Sequence, residues 1–480
     1  MGYNAKVVVV GAGLSGLACA YRLKQLGIPA LVVESTERAG GVIATIRRNG
    51  FLFESGPQYP RFPSPVWQLV KELKLEGDFV AGDPKDKRYI FRHGRLHLAP
   101  FSPAGLVSTR LVGAVSKFRI LSEVFRNSHP PEDEETLANF VERKFGTEIL
   151  ENLVDPIVST VFLGDCYKMG MESALPSLVQ WERKHRSVVR GAIHARTSKR
   201  DAKNSNGAAR SSDRTARGRS LRVTDALPSL GSYRSGMATL PQRLAEELKT
   251  DICYNSSIEL VAPLPSESGT ALSGWELGLH NGHKIATQSL VLAIPAYAAA
   301  ELLAGFAPEL ASRLGAIEYA PMCVAGSAYE RSQVANPLDG FGFMVPRREG
   351  LATICTFWNS SLLPDRAPEG KVLMTSFARR NDTWEKDDEH LAEAVEAENA
   401  KILQITGKPL DRVVWRMPRA LPQYNVDHAR RVREIEAMLQ SFPGLYFAGN
   451  FLRGRSIGDC ADVAFRVAED LYSRVKGEHI

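Results

Sequence analysis

The first 35 residues restrict the fold of this chain more than any other part of it. KVVVVGAGLSGLACAYRLKQLGIPALVVES reads as a β-branched strand, a glycine turn, an amphipathic helix and a second strand. Gly11, Gly13 and Gly16 form G-x-G-x-x-G, which permits a tight turn, close backbone approach to a pyrophosphate and close helix packing. Glu34 ends the second strand about 20 residues on, where a carboxylate can bind a ribose hydroxyl. The segment predicts a dinucleotide-binding βαβ unit.

A second glycine loop follows directly in ERAGGVIATIRRNGFLFESGPQYP. It resembles the RxGG signature of the flavin superfamily that contains amine oxidases, phytoene desaturases and protoporphyrinogen oxidases. The resemblance implies that Arg38 and the loop of Gly40 and Gly41 lie along the pyrophosphate of FAD. It also implies that FxxESGP brings Gly56 and Pro57 towards the isoalloxazine. NAD enzymes need neither element, so FAD is the predicted dinucleotide.

The C-terminal segment GLYFAGNFLRGRSIGDCADVAF reads as a buried strand, a turn and a helix. With the preceding LPQYNVDHARRV it resembles the C-terminal signature of the oxygen-dependent protoporphyrinogen oxidase family, and further matches cover nearly the whole chain. The resemblance implies that Gly449, Asn450, Gly458 and Asp459 surround the pyrimidine edge and ribityl chain. The helix, expected from about Ala461, would stabilise negative charge near N1.

The resemblance implies a non-covalent flavin, because Cys460 lies inside this turn, as in the porphyrinogen enzymes, and not upstream as in amine oxidases with a covalent flavin. The residues that it assigns to FAD binding are Gly11, Gly13, Leu14, Ser15, Gly16, Glu34, Ser35, Arg38, Gly40, Gly41, Val42, Gly56, Pro57, Ile258, Ala293, Trp415, Gly449, Asn450, Gly458 and Asp459.

The predicted fold class is α/β, with a discontinuous, Rossmann-like FAD-binding domain of the GR2 type, a mixed-sheet substrate domain and a helical insertion. The FAD-binding domain is predicted at 1–86, 225–300 and 412–480, the substrate-binding domain at 87–97 and 301–411, and the insertion at 98–224. Residues 191–222 are rich in Arg, Lys, Ser and Asn, and are predicted to form a disordered basic loop.

The resemblance implies a six-electron oxidation of a porphyrinogen, with FAD used three times and reoxidised by O2 to give H2O2. No catalytic triad, metal site or certain catalytic side chain is expected. Arg88 matches the arginine that anchors a substrate propionate in the family, and a guanidinium can bind a carboxylate bidentately. The resemblance also assigns substrate contacts to Gly164, Met344, Phe357 and Phe377.

Composition limits the remaining possibilities. A net charge of +6 does not argue for nucleic acid. The six cysteines are scattered and without zinc-ligand spacing, and no signal peptide is visible, so a cytoplasmic protein is predicted. Residues 105–125 alternate apolar and basic residues, which fits either peripheral contact with the cytoplasmic membrane or packing within the domain. Monomer and homodimer both remain open. His93, His97 and His428 are predicted to be loop or helix-surface residues without a role.

The predicted substrate is protoporphyrinogen IX, in heme biosynthesis. Coproporphyrinogen III, with four propionates, is the nearest alternative, and more basic residues around the pocket would favour it. An amine or carotenoid oxidoreductase on the same fold is a more distant alternative, for which an aromatic cage beside the flavin or a longer apolar tunnel is expected. A flavin-binding protein without turnover is the alternative from a different class.

Overall fold

The computed structural model describes residues 2–83, 86–195, 197, 230–265, 272–380, 382 and 384–477. In chain order the strands are β1 (Gly2–Val10), β2 (Ala30–Val33), β3 (Thr45–Arg48), β4 (Phe51–Glu54), β5 (Phe79–Ala81), β6 (Arg88–Arg92), β7 (Arg95–Leu98), β8 (Gly231–Tyr233), β9 (Ile252–Cys253), β10 (Ile258–Pro265), β11 (Leu272–Leu279), β12 (Lys284–Leu292), β13 (Tyr319–Glu330), β14 (Gly342–Met344), β15 (Thr353–Phe357), β16 (Lys371–Ala378), β17 (Asp411–Pro422) and β18 (Leu445–Phe447).

The helices are α1 (Leu14–Gln25), α2 (Ser64–Glu72), α3 (Pro103–Ser108), α4 (Ala114–Ser122), α5 (Leu137–Lys144), α6 (Thr147–Ile149), α7 (Asp155–Phe162), α8 (Met171–Ala174), α9 (Pro176–His185), α10 (188–195), α11 (Thr239–Leu248), α12 (Ala296–Leu303), α13 (Pro308–Gly315), α14 (Asn359–Leu362), α15 (Asp388–Leu403), α16 (His428–Leu439) and α17 (Ile457–Lys476).

The first sheet has the order β10-β11-β12-β1-β2-β9, and β18 pairs with β12. β12, β1, β2 and β9 run parallel, and β18 is parallel to β12. The valine run at residues 7–10 is buried, as expected for a central parallel strand that is covered on both faces. Helices α1 and α17 pack together over one face. The predicted Rossmann-like α/β fold is confirmed.

The second sheet has the order β17-β13-β16-β15-β14-β6-β7. Its pairs are antiparallel except β14 with β6, which are parallel, so it is a mixed sheet. The segments LATICTFW and KVLMTSFA contain β15 and β16. One face packs on α15, and the opposite face contributes Ile90, Met344 and Cys355 to an apolar cluster with the helices of the insertion. The second face is therefore the one that meets the insertion.

Strand pairing differs from the predicted division of the chain at one place. β17 pairs along its length with β13 of the second sheet, so residues 412–422 were wrongly assigned to the FAD-binding domain. The remaining limits stay a prediction from sequence.

The insertion is helical from α3 to α10, as expected. Residues 191–195 are helical, so the prediction of a disordered loop was wrong there, and residues 198–222 of that predicted loop lie outside the described residues. No helix within the described ranges is long and apolar enough to cross a bilayer.

Candidate functional site: a flavin groove beside an aromatic wall

The three glycines of the turn between β1 and α1 have different surroundings. Gly11 has a φ of 102°, and a Cβ there would lie 2.7 Å from the carbonyl oxygen of Ala293. A Cβ on Gly16 would lie 1.9 Å from the carbonyl oxygen of Gly11. A Cβ on Gly13 would have no described atom within 4 Å. Two glycines are therefore required by the protein itself, while Gly13 borders open space.

The second glycine loop lies against the first. Gly40 donates from its backbone nitrogen to the oxygen of Ala12 at 2.8 Å and forms a parallel bridge with Gly13. A Cβ on Gly41 would approach the Cα of Gly13 to 3.3 Å. Arg38 Nη2 donates to the oxygen of Gly41 at 2.7 Å, which fixes the loop. The two loops thus line one groove, as the resemblance implied.

Glu34 is buried at the end of β2, beside this groove. Its Oε2 accepts from the backbone nitrogen of Ala12 at 2.7 Å, and its Oε1 accepts from that of Thr36 at 2.9 Å and from Ser35 Oγ at 3.3 Å. Oε1 also accepts from Thr36 Oγ1 at 2.8 Å, so the remaining acceptor capacity lies on Oε2, which accepts one hydrogen bond and has two lone pairs. The predicted bond to a ribose hydroxyl is compatible with these contacts. Ile258 begins β10 nearby, where the Ser256 nitrogen donates to the oxygen of Glu34.

Helix α17 begins at Ile457 and not near Ala461, so that prediction was wrong by about a turn. The cause is a capping box: Asp459 Oδ2 accepts from Ser456 N at 2.9 Å and Oγ at 2.7 Å, and Ser456 Oγ accepts from Asp459 N. The Asp459 carboxylate is therefore committed to the start of the helix. A Cβ on Gly458 would lie 2.2 Å from Pro63 Cγ, so helix packing requires this glycine.

The turn that carries Gly449 and Asn450 is held by a stack of side chains. Arg455 lies with its guanidinium carbon 3.7 Å from the ring centre of Phe162 and 4.4 Å from that of Tyr424. Tyr424 stacks on His428 at 4.2 Å and donates its hydroxyl to the oxygen of Asn450. Burial lowers the pKa of His428 to about 4. His428 is thus a buried packing residue, and its prediction as a surface residue was wrong.

The FxxESGP segment joins the groove to the second sheet. A Cβ on Gly56 would meet the oxygen of Val42 at 3.0 Å, so this turn, which continues into Pro57, lies on the second glycine loop. Gln58 Nε2 donates to the oxygen of Gly56 at 3.0 Å, and its Oε1 accepts from Asn359 Nδ2 at 2.7 Å. Both amides are buried. Sequence reasoning missed this pair because the two residues are about 300 positions apart in the chain.

Two residues before Gly56, Glu54 is buried and accepts from Thr45 Oγ1 at 2.7 Å and from the Met237 nitrogen at 2.8 Å. Arg366 Nη2, also buried, lies 3.6 Å from Glu54 Oε1. Burial raises the pKa of Glu54 to about 7, although the Arg366 charge opposes the shift. This buried pair anchors the end of β4, and with it the turn at Gly56.

The residues present fit FAD. The space beside Gly13, the abutting loop of Gly40 and Gly41 and the exposed Val42 form a cradle that a side chain at Gly13 would fill. Leu14 and Ser15 begin α1, whose first backbone N–H groups favour an anion such as a pyrophosphate. Ser15 also hydrogen-bonds Cys460, which ties α1 to α17. Individual contacts with FAD remain predictions.

The predicted substrate residues lie along one face of the second sheet. Arg88 of β6 is paired with Gly342, and Gly342 with Phe357. Met344 is paired with Cys355, and Cys355 with Phe377, so these side chains share the face of Phe357. Phe357 and Phe377 meet edge to face at 5.5 Å. The fold thus brings together four of the residues predicted to contact the substrate: Arg88, Met344, Phe357 and Phe377.

The Arg88 guanidinium lies 4.6 Å from the ring centre of Phe341, which in turn lies 5.4 Å from Phe357. Arg88 is half-buried, and burial lowers its pKa, with the charge of Asp86 opposing. Its side-chain hydrogen bond to the backbone oxygen of Asp86 is long at 3.4 Å, and it forms no ion pair within the part of the chain that the structure describes. We name the row Phe341, Phe357 and Phe377 the aromatic wall.

Two further predicted residues border this face. Trp415 and Phe377 are both paired with Val324, on its two sides, so Trp415 shares their face. Gly164 follows α7, but a Cβ there would lie 2.3 Å from Met169 Cε and 3.3 Å from Gln423 Oε1. Any side chain at position 164 would collide with Met169, so this glycine has a packing role. Its predicted substrate contact stays a prediction.

Comparisons with known proteins agree with this geometry. Residues 14–472 match the model of the flavin-containing amine oxidoreductase family. A chloroplastic protoporphyrinogen oxidase of Nicotiana tabacum is 29% identical over 97% of this chain and 85% of its own length. A coproporphyrinogen III oxidase of Bacillus subtilis is 27% identical over 95% of each chain. A crystal structure from Exiguobacterium sp. 255-15, assigned as a protoporphyrinogen oxidase, shares the fold, with a TM-score of 0.79 at 22% identity over 98% of this chain and 99% of that one.

The chain therefore belongs to the flavin-containing amine oxidoreductase family. It is an FAD-dependent oxidoreductase, so the predicted family, enzyme class and cofactor are confirmed. Within the family it is similar over nearly its whole length to enzymes named for porphyrinogen oxidation.

Proposed function

We propose that the protein oxidises a porphyrinogen to the porphyrin, with protoporphyrinogen IX as substrate and O2 as the final acceptor. The observation that carries the proposal is the half-buried Arg88 at one end of the aromatic wall, without an ion-pair partner among the described residues. A flat, largely apolar substrate that carries carboxylates is complementary to such a surface, because the rings pack on the wall and the guanidinium binds a carboxylate. The similarity to protoporphyrinogen and coproporphyrinogen oxidases supports the same substrate class.

The protein's contribution is to bind and orient. Bound FAD supplies the hydride acceptor. Arg88 would fix one edge of the substrate, and the aromatic wall would hold the ring system while it excludes water from its apolar face. The aromatic wall and the neighbouring Met344 carry no acid or base, so this face offers no proton acceptor of its own. An ammonium substrate would meet the like charge of Arg88, which favours a porphyrinogen over an amine.

Arg88→Ala is expected to raise KM for protoporphyrinogen IX by about 10- to 100-fold, because a charge-assisted hydrogen bond contributes about 1.5–3 kcal/mol. Arg88→Lys should fall between the variant and the wild type, since it keeps the charge and loses the fork. FAD content should not change. Steady-state kinetics with a flavin absorbance spectrum measure both quantities.

The matched control is Arg95→Ala, on the adjacent strand β7, where the side chain is exposed. It should behave as wild type. Equal kinetics for Arg88→Ala and Arg95→Ala would remove Arg88 from the substrate site.

We also propose that the insertion rests on an anionic membrane surface. Val107, Val115, Phe118, Leu121 and Phe125, on α3, α4 and the following turn, are each at least 61% exposed, and we name them the apolar patch. A group of exposed apolar side chains of this kind marks a protein-binding or membrane-binding surface. Arg110 and Arg126 are exposed close to the patch in sequence. Apolar side chains flanked by cations are what an interfacial contact requires.

The combined change Val115→Ser, Phe118→Ser and Phe125→Ser is expected to reduce binding to phosphatidylglycerol-containing vesicles at least tenfold, because it removes most of the apolar area that would enter the interface. Vesicle flotation measures the bound fraction. Leu260→Ser with Leu410→Ser removes exposed apolar side chains elsewhere and is the control. A wild-type protein that stays with the aqueous fraction would refute the contact.

A further inference from the structure

We propose that Arg379 and Arg347 form a second carboxylate-binding position, at the end of the aromatic wall opposite Arg88. The inference rests on the proposed function and extends it: besides protoporphyrinogen IX, the site would accept a tetrapyrrole with carboxylates at two opposite edges. Coproporphyrinogen III, with propionates on all four rings, has this property. We name Arg347, Arg379 and Asp155 the distal cluster.

The position of Arg379 follows from the register of the second sheet. The Arg379 nitrogen donates to the oxygen of Ala352 at 2.9 Å, which extends the pairing of β16 one residue past its end. β15 has a bulge between Thr353 and Cys355, but β16 keeps a regular register with β13 up to Ala378. Side chains two apart on an extended strand share a face, so we place Arg379 after Phe377 on the face of the wall. Arg88 lies three strands away on β6, roughly 14 Å at the usual strand spacing. The wall thus has a cation at each end.

The charge of Arg379 is not matched by a direct partner. Its Nη2 is buried without a hydrogen bond, and no ion pair is formed by its guanidinium, as far as the described residues extend. The nearby Glu398 accepts from the nitrogens of Ala352 and Thr353 at 2.9 and 2.8 Å, so its carboxylate is committed to the backbone. A buried donor that lacks an acceptor is costly, and a substrate carboxylate would supply one.

Arg347 adds a second positive charge. Burial and then the charge of Arg347 lower the pKa of Arg379, so the two cations repel each other, while Asp155 opposes the shift. Arg347 makes only loose ion pairs, at 3.8 Å to both Asp155 and Asp165, and is 42% exposed. Asp155 also accepts from the Arg347 nitrogen at 2.7 Å, which orients its carboxylate towards the backbone. The cluster therefore retains cationic capacity for an added anion.

The distal cluster also adjoins the segment after α7. Arg347 Nη2 donates to the oxygen of Gly164 at 3.2 Å, and Gly164 is the residue that was assigned to the substrate by resemblance. Burial raises the pKa of the Cys355 thiol on the face of the wall, and the charge of Arg379 opposes this shift. Contacts on the sheet and on the helical insertion thus converge on the same end of the wall.

The test compares Arg379→Gln with the wild-type holoenzyme on two substrates. We expect KM for coproporphyrinogen III to rise about tenfold, and KM for protoporphyrinogen IX, whose two propionates can be held at one edge, to change less than about twofold. Binding of the corresponding porphyrins, followed by fluorescence quenching, should show the same difference. Arg347→Gln, which changes a more exposed side chain, should shift both quantities in the same direction.

Arg380→Gln is the matched control, because Arg380 is exposed and paired with Glu385. It should leave both substrates unaffected. Equal changes for the two substrates in Arg379→Gln, or none, would overturn the distal cluster. A wild-type enzyme that oxidises neither porphyrinogen would refute the proposed function instead.

Discussion

Gly13→Val is expected to give a folded protein that contains less than about a tenth of the wild-type flavin. A Cβ at Gly13 meets no described atom of the protein within 4 Å, and Gly13 has φ −70° and ψ 174°, which a branched residue can adopt. The added methyl groups would occupy the cradle between the two glycine loops. Because the pyrophosphate needs close backbone approach there, the cofactor would be excluded. Flavin absorbance per chain after purification measures the effect.

Gly16→Val is the informative comparison, since a Cβ there would lie 1.9 Å from the oxygen of Gly11. This variant should lose both flavin and fold, whereas Gly13→Val should keep the circular dichroism of the flavin-free wild type. A yellow, fully loaded Gly13→Val protein would refute the assignment of the groove to FAD.

Arg366→Leu is expected to lower the free energy of unfolding by about 3–5 kcal/mol, the usual effect of breaking a buried ion pair from one side. Arg366 is fully buried and donates to Ser232 Oγ and to the oxygen of Tyr233, both at 2.9 Å, besides facing Glu54 at 3.6 Å. Leucine would leave the Glu54 carboxylate without its cation. Urea unfolding of the flavin-loaded protein measures the change.

The loss should depend on pH in a defined direction. The pKa of Glu54 is raised to about 7 in the fold, so its contribution favours folding at low pH and is lost as the pH rises through about 7. Without Arg366 this pKa should rise further, so Arg366→Leu should be more destabilising at about pH 8.5 than at about pH 5.5. A pH-independent loss would contradict the ion-pair explanation.

Arg234→Ala provides the control for the same region. Arg234 forms an exposed pair with Asp365 at 3.2 Å, and exposed pairs contribute less than about 1 kcal/mol. Its effect should be small at either pH.

Local patterns predicted the parts of the site that are close in sequence. The βαβ unit could be predicted because Gly11, Gly13 and Gly16 follow a valine run and Glu34 ends the next strand, all within 35 residues. The second glycine loop follows directly. In both cases the backbone conformation requires glycine locally, so the residue type itself carries the information.

The errors concern features that depend on distant partners. β17 was assigned to the wrong sheet because an isolated strand carries no record of which neighbour it pairs with, and β13 lies about 90 residues earlier. His428 was taken for a surface residue because its stacking partner Tyr424 and its acceptor, the oxygen of Leu452, are known only from the fold. Helix α17 starts early because Ser456 and Asp459 form a capping box, a signal that was present in the sequence and overlooked.

The distal cluster also depends on contacts between residues that are distant in the sequence. Ala378-Arg379-Arg380 is a plain basic pair in the sequence. The fold separates the two arginines, since Arg379 is half-buried with its Nη2 shielded from solvent, whereas Arg380 is exposed and paired with Glu385. Only the strand pairing distinguishes the candidate carboxylate-binding arginine from the surface arginine.

The most direct test of the account is an aerobic fluorescence assay of the flavin-loaded protein, with protoporphyrinogen IX and coproporphyrinogen III offered separately and kcat/KM compared. We predict that porphyrin fluorescence develops with at least one of them and that O2 is consumed in step. A clear preference would name the substrate. Absence of porphyrin formation from both, in protein that carries its full FAD, would contradict the proposal that this aromatic wall and Arg88 serve porphyrinogen oxidation.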